Sequence, residues 1–348
     1  MRRIIQVGVG GYGRTWVDTL EKFRDRVQCA ALVDVDAVAL AEARSRLGIE
    51  ERHCFLTLRQ ALDSVVADSV LCVVPPALHE GVIIEALDTG MHVLSEKPIA
   101  DTMEASRRIV DHARRSNGTF MVSQKGRFSR WVRRFREAVE NEEVGPISHL
   151  TLTYRAPLFN WGASGFRHRM DDPLLVEMSI HHFDLLRALL GRDPIDVSGF
   201  SWNTPWSGFR GDVAASLRFT MEGGLPVIYE GYCRSSGDQT SWFGDIRAEC
   251  ADGVVTMVHP SLYLARRGAD QNYVAAPRTD LMRIGELTEG QSISFTEFLD
   301  ATDQGRIPES SGAENLISVA MVFAAADACR SGTTRRIADY VTPVMVAS

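Results

Sequence analysis

The apolar run Ile4–Val9 leads straight into the pattern Gly8-x-Gly10-x-x-Gly13. Three glycines at that spacing suit a strand that turns sharply into a helix. The first permits the tight turn, the second lets backbone N–H groups approach a pyrophosphate, and the third allows helix and strand to pack closely. The helix N-terminus then sets partial positive charge against the phosphates. The pattern alone is weak, so its surroundings decide. Asp34 closes the next apolar run, 21 residues after Gly13, where a carboxylate reaches the ribose hydroxyls of a dinucleotide. Gly8, Gly10, Gly11, Tyr12, Gly13 and Asp34 are therefore expected to bind the cofactor. A carboxylate there repels the 2′-phosphate of NADP, and Val35 and Asp36 supply no offsetting cation, so NAD is expected over NADP.

Through the first third, short apolar runs alternate with amphipathic stretches. Strands are predicted at Ile4–Val9, Val27–Asp34, Ser69–Val74, His92–Ser95 and Thr119–Ser123. Helices are predicted near Tyr12–Lys22, Ala37–Arg46, Ala77–Asp88 and Met103–Arg115, the last opened by Asp101 and Glu104 at capping-box spacing. Strands apolar throughout and separated by helices imply a doubly wound parallel sheet covered on both faces. From about residue 123 the texture changes. After a helix capped by Ser129, alternation through Leu150, Leu152 and Tyr154 and turn signals at Glu222-Gly223-Gly224 and Asp252-Gly253 predict hairpins and an antiparallel sheet. Helices at Leu174–Leu190, ended by Gly191, and Ala313–Arg330 complete an α+β second domain. The 348 residues are thus read as α/β, divided into a domain at 1–122 and another at 123–348.

A net charge of −7 lacks the basic excess that phosphate-backbone binding leaves, so no nucleic-acid partner is expected. The six cysteines show neither C-x-x-C nor metal-ligand spacing, which predicts reduced thiols, a cytoplasmic protein and no metal. The late apolar run Leu316–Ala326 has 11 residues, short of the ~20 that cross a bilayer, so no membrane span is expected.

Only three of the 38 basic residues are lysines: Lys22, Lys97 and Lys125. Arginine keeps its proton at any physiological pH, whereas a desolvated lysine can release one, so acid/base chemistry by a basic side chain falls to these positions. Lys97, in Glu96-Lys97-Pro98, ends a predicted strand at the edge where open α/β sheets bind ligands, and Lys125 ends the next strand on that edge. Lys22 reads as solvated surface. On the helix of the second domain, Glu177, His181 and Asp184 stand four and three apart, on one face at ordinary helical spacing, with His182 turned off it. An acid, an imidazole and a second acid so placed suit proton transfer to or from a hydroxyl. A catalytic zinc would need three ligands, and no H-E-x-x-H is present.

These residues resemble the Gfo/Idh/MocA family, the relatives of glucose-fructose oxidoreductase and inositol dehydrogenase. The glycine pattern, Asp34, Val74-Pro75-Pro76-Ala77-Leu78-His79, Glu96-Lys97-Pro98, and Glu177 to Asp184 before Leu185-Leu186-Arg187 come in that family's order and spacing. The resemblance implies an N-terminal Rossmann domain and a C-terminal domain with a large, open antiparallel sheet that commonly serves oligomerisation, hence a homo-oligomer, dimer or tetramer. It adds Val74, Pro75, His79, Glu96 and Lys97 to the cofactor-binding set. It also implies that Lys97 contacts substrate and nicotinamide, and that Glu177 and His181 supply acid/base chemistry.

The expected function is an NAD-dependent dehydrogenase acting on a secondary hydroxyl of a sugar, polyol or cyclitol, with Lys97, His181 and Glu177 catalytic. Lys125, Tyr154, Trp161, Arg167 and Asp184 are expected to join Lys97 and His181 on the substrate. With Arg155, His168 and Arg169, this segment is cationic enough for a carboxylated or phosphorylated sugar. Two alternatives stay open: an enzyme that retains NAD and uses transient oxidation for elimination or glycoside cleavage, and a non-catalytic NAD or sugar sensor. A family containing such members does not fix the reaction by fold.

Overall fold

The computed structural model describes residues 1–158, 166–268, 277–285 and 290–342. Its first compact unit opens with β1 (Arg2–Val7), α1 (Gly13–Lys22), β2 (Val27–Val33), α2 (Ala37–Leu47), β3 (Cys54–Phe55) and α3 (Leu58–Ser64). It continues with β4 (Ser69–Cys72), α4 (His79–Asp88), β5 (His92–Ser95), α5 (Met103–Ala113) and β6 (Phe120–Val122). All six strands pair in parallel, in the order β3-β2-β1-β4-β5-β6. Ile4, Ile5, Leu32, Val70, Leu71, Val93 and Leu94 are buried, as strands covered by helices on both faces require. The order reverses between β1 and β4, and ligands of open α/β sheets bind outside the strand ends at such a switch point. The two-residue β3 and the short α3 are too brief to leave a periodic signal. The N-cap of α5 is Thr102, whose hydroxyl accepts from the amide of Ala105 at 3.2 Å, one residue beyond the expected Asp101.

The second unit contains α6 (Arg130–Glu140), β7 (Ile147–Arg155), α7 (Ser179–Leu190), β8 (Pro194–Trp202), β9 (Ala214–Met221) and β10 (Leu225–Tyr232). There follow β11 (Asp245–Cys250), β12 (Gly253–Val258), β13 (Ser261–Arg266), β14 (Arg278–Arg283) and the short β15 (Arg335–Arg336). The nine strands run β14-β13-β12-β11-β7-β10-β9-β8-β15. Both expected hairpins form, joining β9 to β10 and β11 to β12. One pair departs from the antiparallel expectation: β7 and β10 run in parallel, Leu150 facing Val227. Phe183 of α7 packs edge-on against Phe219 and Tyr229 of the sheet, at 4.9 and 5.2 Å. Ser129 stands at the N-cap of α6 but makes no side-chain capping bond, while Gly191 ends α7 in the left-handed region as expected.

Three helices remain among the described residues, α8 (Gln291–Gln304), α9 (Gly312–Ser331) and the short α10 (Ala338–Val341). The compact units do not follow a single cut at residue 122. The first takes Met1–Lys125 with Glu289–Val319, and the second Gly126–Thr288 with Ala320–Ser348. The reason is an aromatic match: Phe295 of α8 meets Trp16 and Phe23, at 5.9 and 5.1 Å, and Ser310 exchanges backbone and side-chain bonds with Val122. Helix α9 is long and apolar enough to cross a bilayer, yet Leu316, Val319, Ala320, Met321, Ala324 and Ala325 are buried in protein. That is the environment of a core helix. All six cysteines are free thiols, and burial pushes those of Cys29, Cys72 and Cys233 up to about 12.

Candidate active site

The glycine loop has a closed side and an open one. A Cβ on Gly8, whose φ is +88°, would lie 2.5 Å from the Val73 carbonyl oxygen, and one on Gly13 would lie 2.3 Å from that of Gly8. At Gly11 it would meet nothing within 4 Å. Backbone packs against one face and leaves the other clear, as a loop that cradles a pyrophosphate must. Gln6, a polar residue in the otherwise apolar β1, braces the loop from within by donating to the carbonyls of Gly8 and Gly13 at 3.0 and 2.9 Å. Asp34 Oδ2 accepts from the amides of Val9 and Gly10, at 2.8 and 3.1 Å, and Oδ1 from that of Asp36 at 2.9 Å. The loop and the carboxylate are thus one assembly.

Beyond β5, Glu96 Oε1 accepts the indole N–H of Trp16 at 2.8 Å and Oε2 the amide of Lys97 at 3.2 Å. Removal of its carboxylate from water raises the Glu96 pKa against the pull of Trp16 and the two lysines. Burial lowers the pKa of Lys125, and the neighbouring Lys97 adds to that, while Glu96 opposes it. One carboxylate and two amines therefore share this strand edge. Gln291 of α8 donates to the Tyr12 hydroxyl and to Thr15 Oγ1, which covers the start of α1.

His79 does not face outward as a cofactor ligand would. It is fully buried, with Nε2 2.9 Å from the Val74 carbonyl and Nδ1 3.0 and 3.2 Å from those of Pro98 and Ile99. It ties the segment after β4 to the one carrying Lys97. Val74 and Pro75 contribute backbone to that same segment.

In the second unit, the ordinary helical spacing assumed for Glu177 and His181 breaks down. Leu174–Met178 forms a π-turn, and the α-helix begins only at Ser179, so the two residues straddle a change of pitch. Glu177 Oε1 accepts from Arg167 at 3.0 and 2.7 Å. His181 is half-buried, its ring centroid 6.0 Å from that of Trp242. Asp184 is corrected: it is buried, and its Oδ2 accepts from the equally buried Arg127 at 3.0 Å. Tyr154 is corrected too. Its ring lies in the core, 4.6 Å from that of His182, and its hydroxyl is buried. Trp161 lies outside the described residues. Arg167 pairs with Glu177, Arg155 reaches Asp245 at 3.4 Å, and His168 stacks on Phe209. Much of the cationic character expected to meet an anionic sugar is thereby spent inside the protein.

Residues 2–124 match the family model of the Gfo/Idh/MocA oxidoreductase family, NAD-binding Rossmann fold, and residues 132–253 match its C-terminal domain. The chain belongs to the Gfo/Idh/MocA family. It is 30% identical to the uncharacterized protein y4oX of Sinorhizobium fredii, over 99% of this chain and 98% of that protein. It is 28% identical to an inositol 2-dehydrogenase of Corynebacterium glutamicum, over 57% of each. An oxidoreductase from Agrobacterium radiobacter, crystallised with NAD+, L-tartaric acid and magnesium, has the same fold, with a TM-score of 0.84 at 16% identity over 97% and 99% of the two chains. Membership makes this an NAD-binding oxidoreductase, and the match over residues 2–124 includes the glycine loop and Asp34. Sequence reasoning missed Gln6, Trp16, Gln291 and Trp242. Only Gln6 carried a signal, a polar side chain within a buried parallel strand.

Proposed function

We propose that this Gfo/Idh/MocA protein is an NAD-dependent dehydrogenase that moves hydride between a secondary hydroxyl of a sugar, polyol or cyclitol and nicotinamide. The observation that carries the reading is the carboxyl edge of the parallel sheet, where the glycine loop and Asp34 stand with Lys97 and Lys125 around Glu96. Bound against the loop, NAD supplies the hydride acceptor. Gly8, Gly10, Gly11, Tyr12 and Gly13 hold its phosphates, Asp34 its adenosine ribose, and Val74 and Pro75 present backbone. Lys97 polarises the reacting oxygen by donating through its ammonium. His181 takes the hydroxyl proton, and Glu177, fixed by Arg167, orients the imidazole. Lys125 adds charge on the substrate side.

Ile195, Phe200 and Trp202, exposed on β8, support a homo-oligomer formed through this sheet.

The test is a panel of sugars, acyclic polyols and cyclitols supplied to the purified full chain with NAD, following NADH by absorbance. NADH formed in step with oxidised product is expected. Copurifying NAD that returns to its oxidised form each turnover supports the NAD-retaining lyase instead, and binding without any reaction supports a sensor.

A further inference from the structure

We propose that Trp242 is the platform on which the apolar face of a cyclic polyol or pyranose rests beside His181. The inference rests on the dehydrogenase reading in taking His181 as the base. Trp242 is 40% exposed, whereas the next residue, Phe243, is buried and packs on Trp131 with ring centroids 6.0 Å apart. The turn that carries the indole is pinned at each end. The Thr240 amide donates to the Arg155 carbonyl at 3.0 Å, and the Arg155 amide to Thr240 Oγ1 at 3.0 Å. Ser241 Oγ donates to the Gly244 carbonyl at 2.9 Å, and the Gly244 amide returns a bond to Ser241 at 3.0 Å. Gly244 has φ +80°, and a Cβ there would lie 2.8 Å from the Thr153 carbonyl oxygen, so the turn has one conformation.

The backbone of Trp242 is itself held from below. His182, fully buried, donates through Nε2 to the Trp242 carbonyl at 3.0 Å. Burial lowers the His182 pKa to about 4, so the ring is neutral and its Nδ1 accepts from the Tyr229 hydroxyl at 3.0 Å. Tyr229 in turn lies 2.8 Å from Ser179 Oγ. Consecutive histidines of α7 thus engage one residue, His181 against the indole and His182 on the carbonyl. A chance surface tryptophan needs no such support, and a side chain that must present a fixed face to a ligand does. A ring polyol has a flat face of C–H bonds that stacks on indole while leaving its hydroxyls outward, one of them toward the neighbouring imidazole, and the indole N–H adds a donor at the rim. An acyclic polyol has no flat face to offer.

Trp242→Ala and Trp242→Phe are compared with the parent. The readouts are steady-state kinetics with myo-inositol, D-glucose and the acyclic polyol D-sorbitol, and calorimetric binding of the same three compounds and of NAD. For whichever ring compound the parent uses or binds, Trp242→Ala is expected to raise KM or Kd by about tenfold, the size of one good aromatic contact. Trp242→Phe should recover most of that loss, D-sorbitol should change by less, and NAD affinity should stay as in the parent. Ring-compound KM or Kd unchanged in Trp242→Ala, with NAD binding intact, would overturn the proposal. So would a parent that binds none of the ring compounds in the presence of NAD. A parent that binds a ring compound without reducing NAD removes the dehydrogenase reading alone, and the calorimetric comparison still decides for or against Trp242.

Discussion

The indole N–H of Trp16 donates to the carboxylate of Glu96 across 2.8 Å, joining the helix that follows the glycine loop to the strand end that carries Lys97. The bond links cofactor loop and amine cluster through one acid taken out of water.

That acid has a consequence for pH. Glu96 has a pKa raised in the folded state, first by loss of solvent. The folded protein therefore holds the proton at pH values where the unfolded chain has released it. Stability must fall as pH rises from the ordinary glutamate range, about 4.3, through the raised value, and the loss is complete above it. Glu96→Gln keeps an acceptor for Trp16 and removes the titration. Its thermal midpoint, measured across this window, is expected to decline less steeply than the parent's, and parallel curves would contradict the assignment.

His79 offers a sharper structural test. Replacement by alanine removes the buried ring that bridges the Val74 carbonyl to those of Pro98 and Ile99. The cost is expected to be about 3 kcal/mol, read as a lowered denaturation midpoint. Because the two strand-end segments then separate, NAD affinity measured by calorimetry should fall as well, although the imidazole itself is shielded from ligand.

For Asp34, substitution by asparagine should act twice. An amide cannot accept from Val9, Gly10 and Asp36 together, so the loop loosens and NAD binds less tightly. Removing the negative charge also removes the repulsion toward a 2′-phosphate, and the ratio of kcat/KM for NADP over NAD is expected to rise by about tenfold or more.

The features legible in the sequence are those written in contiguous residues. The glycine loop, Asp34 and the alternation of strands and helices are local patterns whose physical meaning does not depend on distant chain. Asp184 shows where such reading stops. Periodicity identifies the face a side chain occupies but not what packs on it, and its partner Arg127 lies 57 residues away. The π-turn at Leu174–Met178 escaped for a related reason: apolar spacing there is compatible with an ordinary helix, and the wider turn is set by tertiary contacts such as Ser179 with Tyr229. The return of α8 to the first unit depends on Phe295 meeting Trp16 and Phe23, a match between segments far apart in the chain.

The most direct measurement is turnover of Lys97→Arg beside the parent, with the polyol that best reduces NAD and with NAD binding measured on both. Arginine keeps the charge but spreads it over a larger planar guanidinium, which cannot take the place of a compact ammonium donating to the reacting oxygen. Retained NAD affinity with NADH formation lowered by about a hundredfold or more is the expected result. Near-parental turnover in Lys97→Arg would contradict the role given to Lys97.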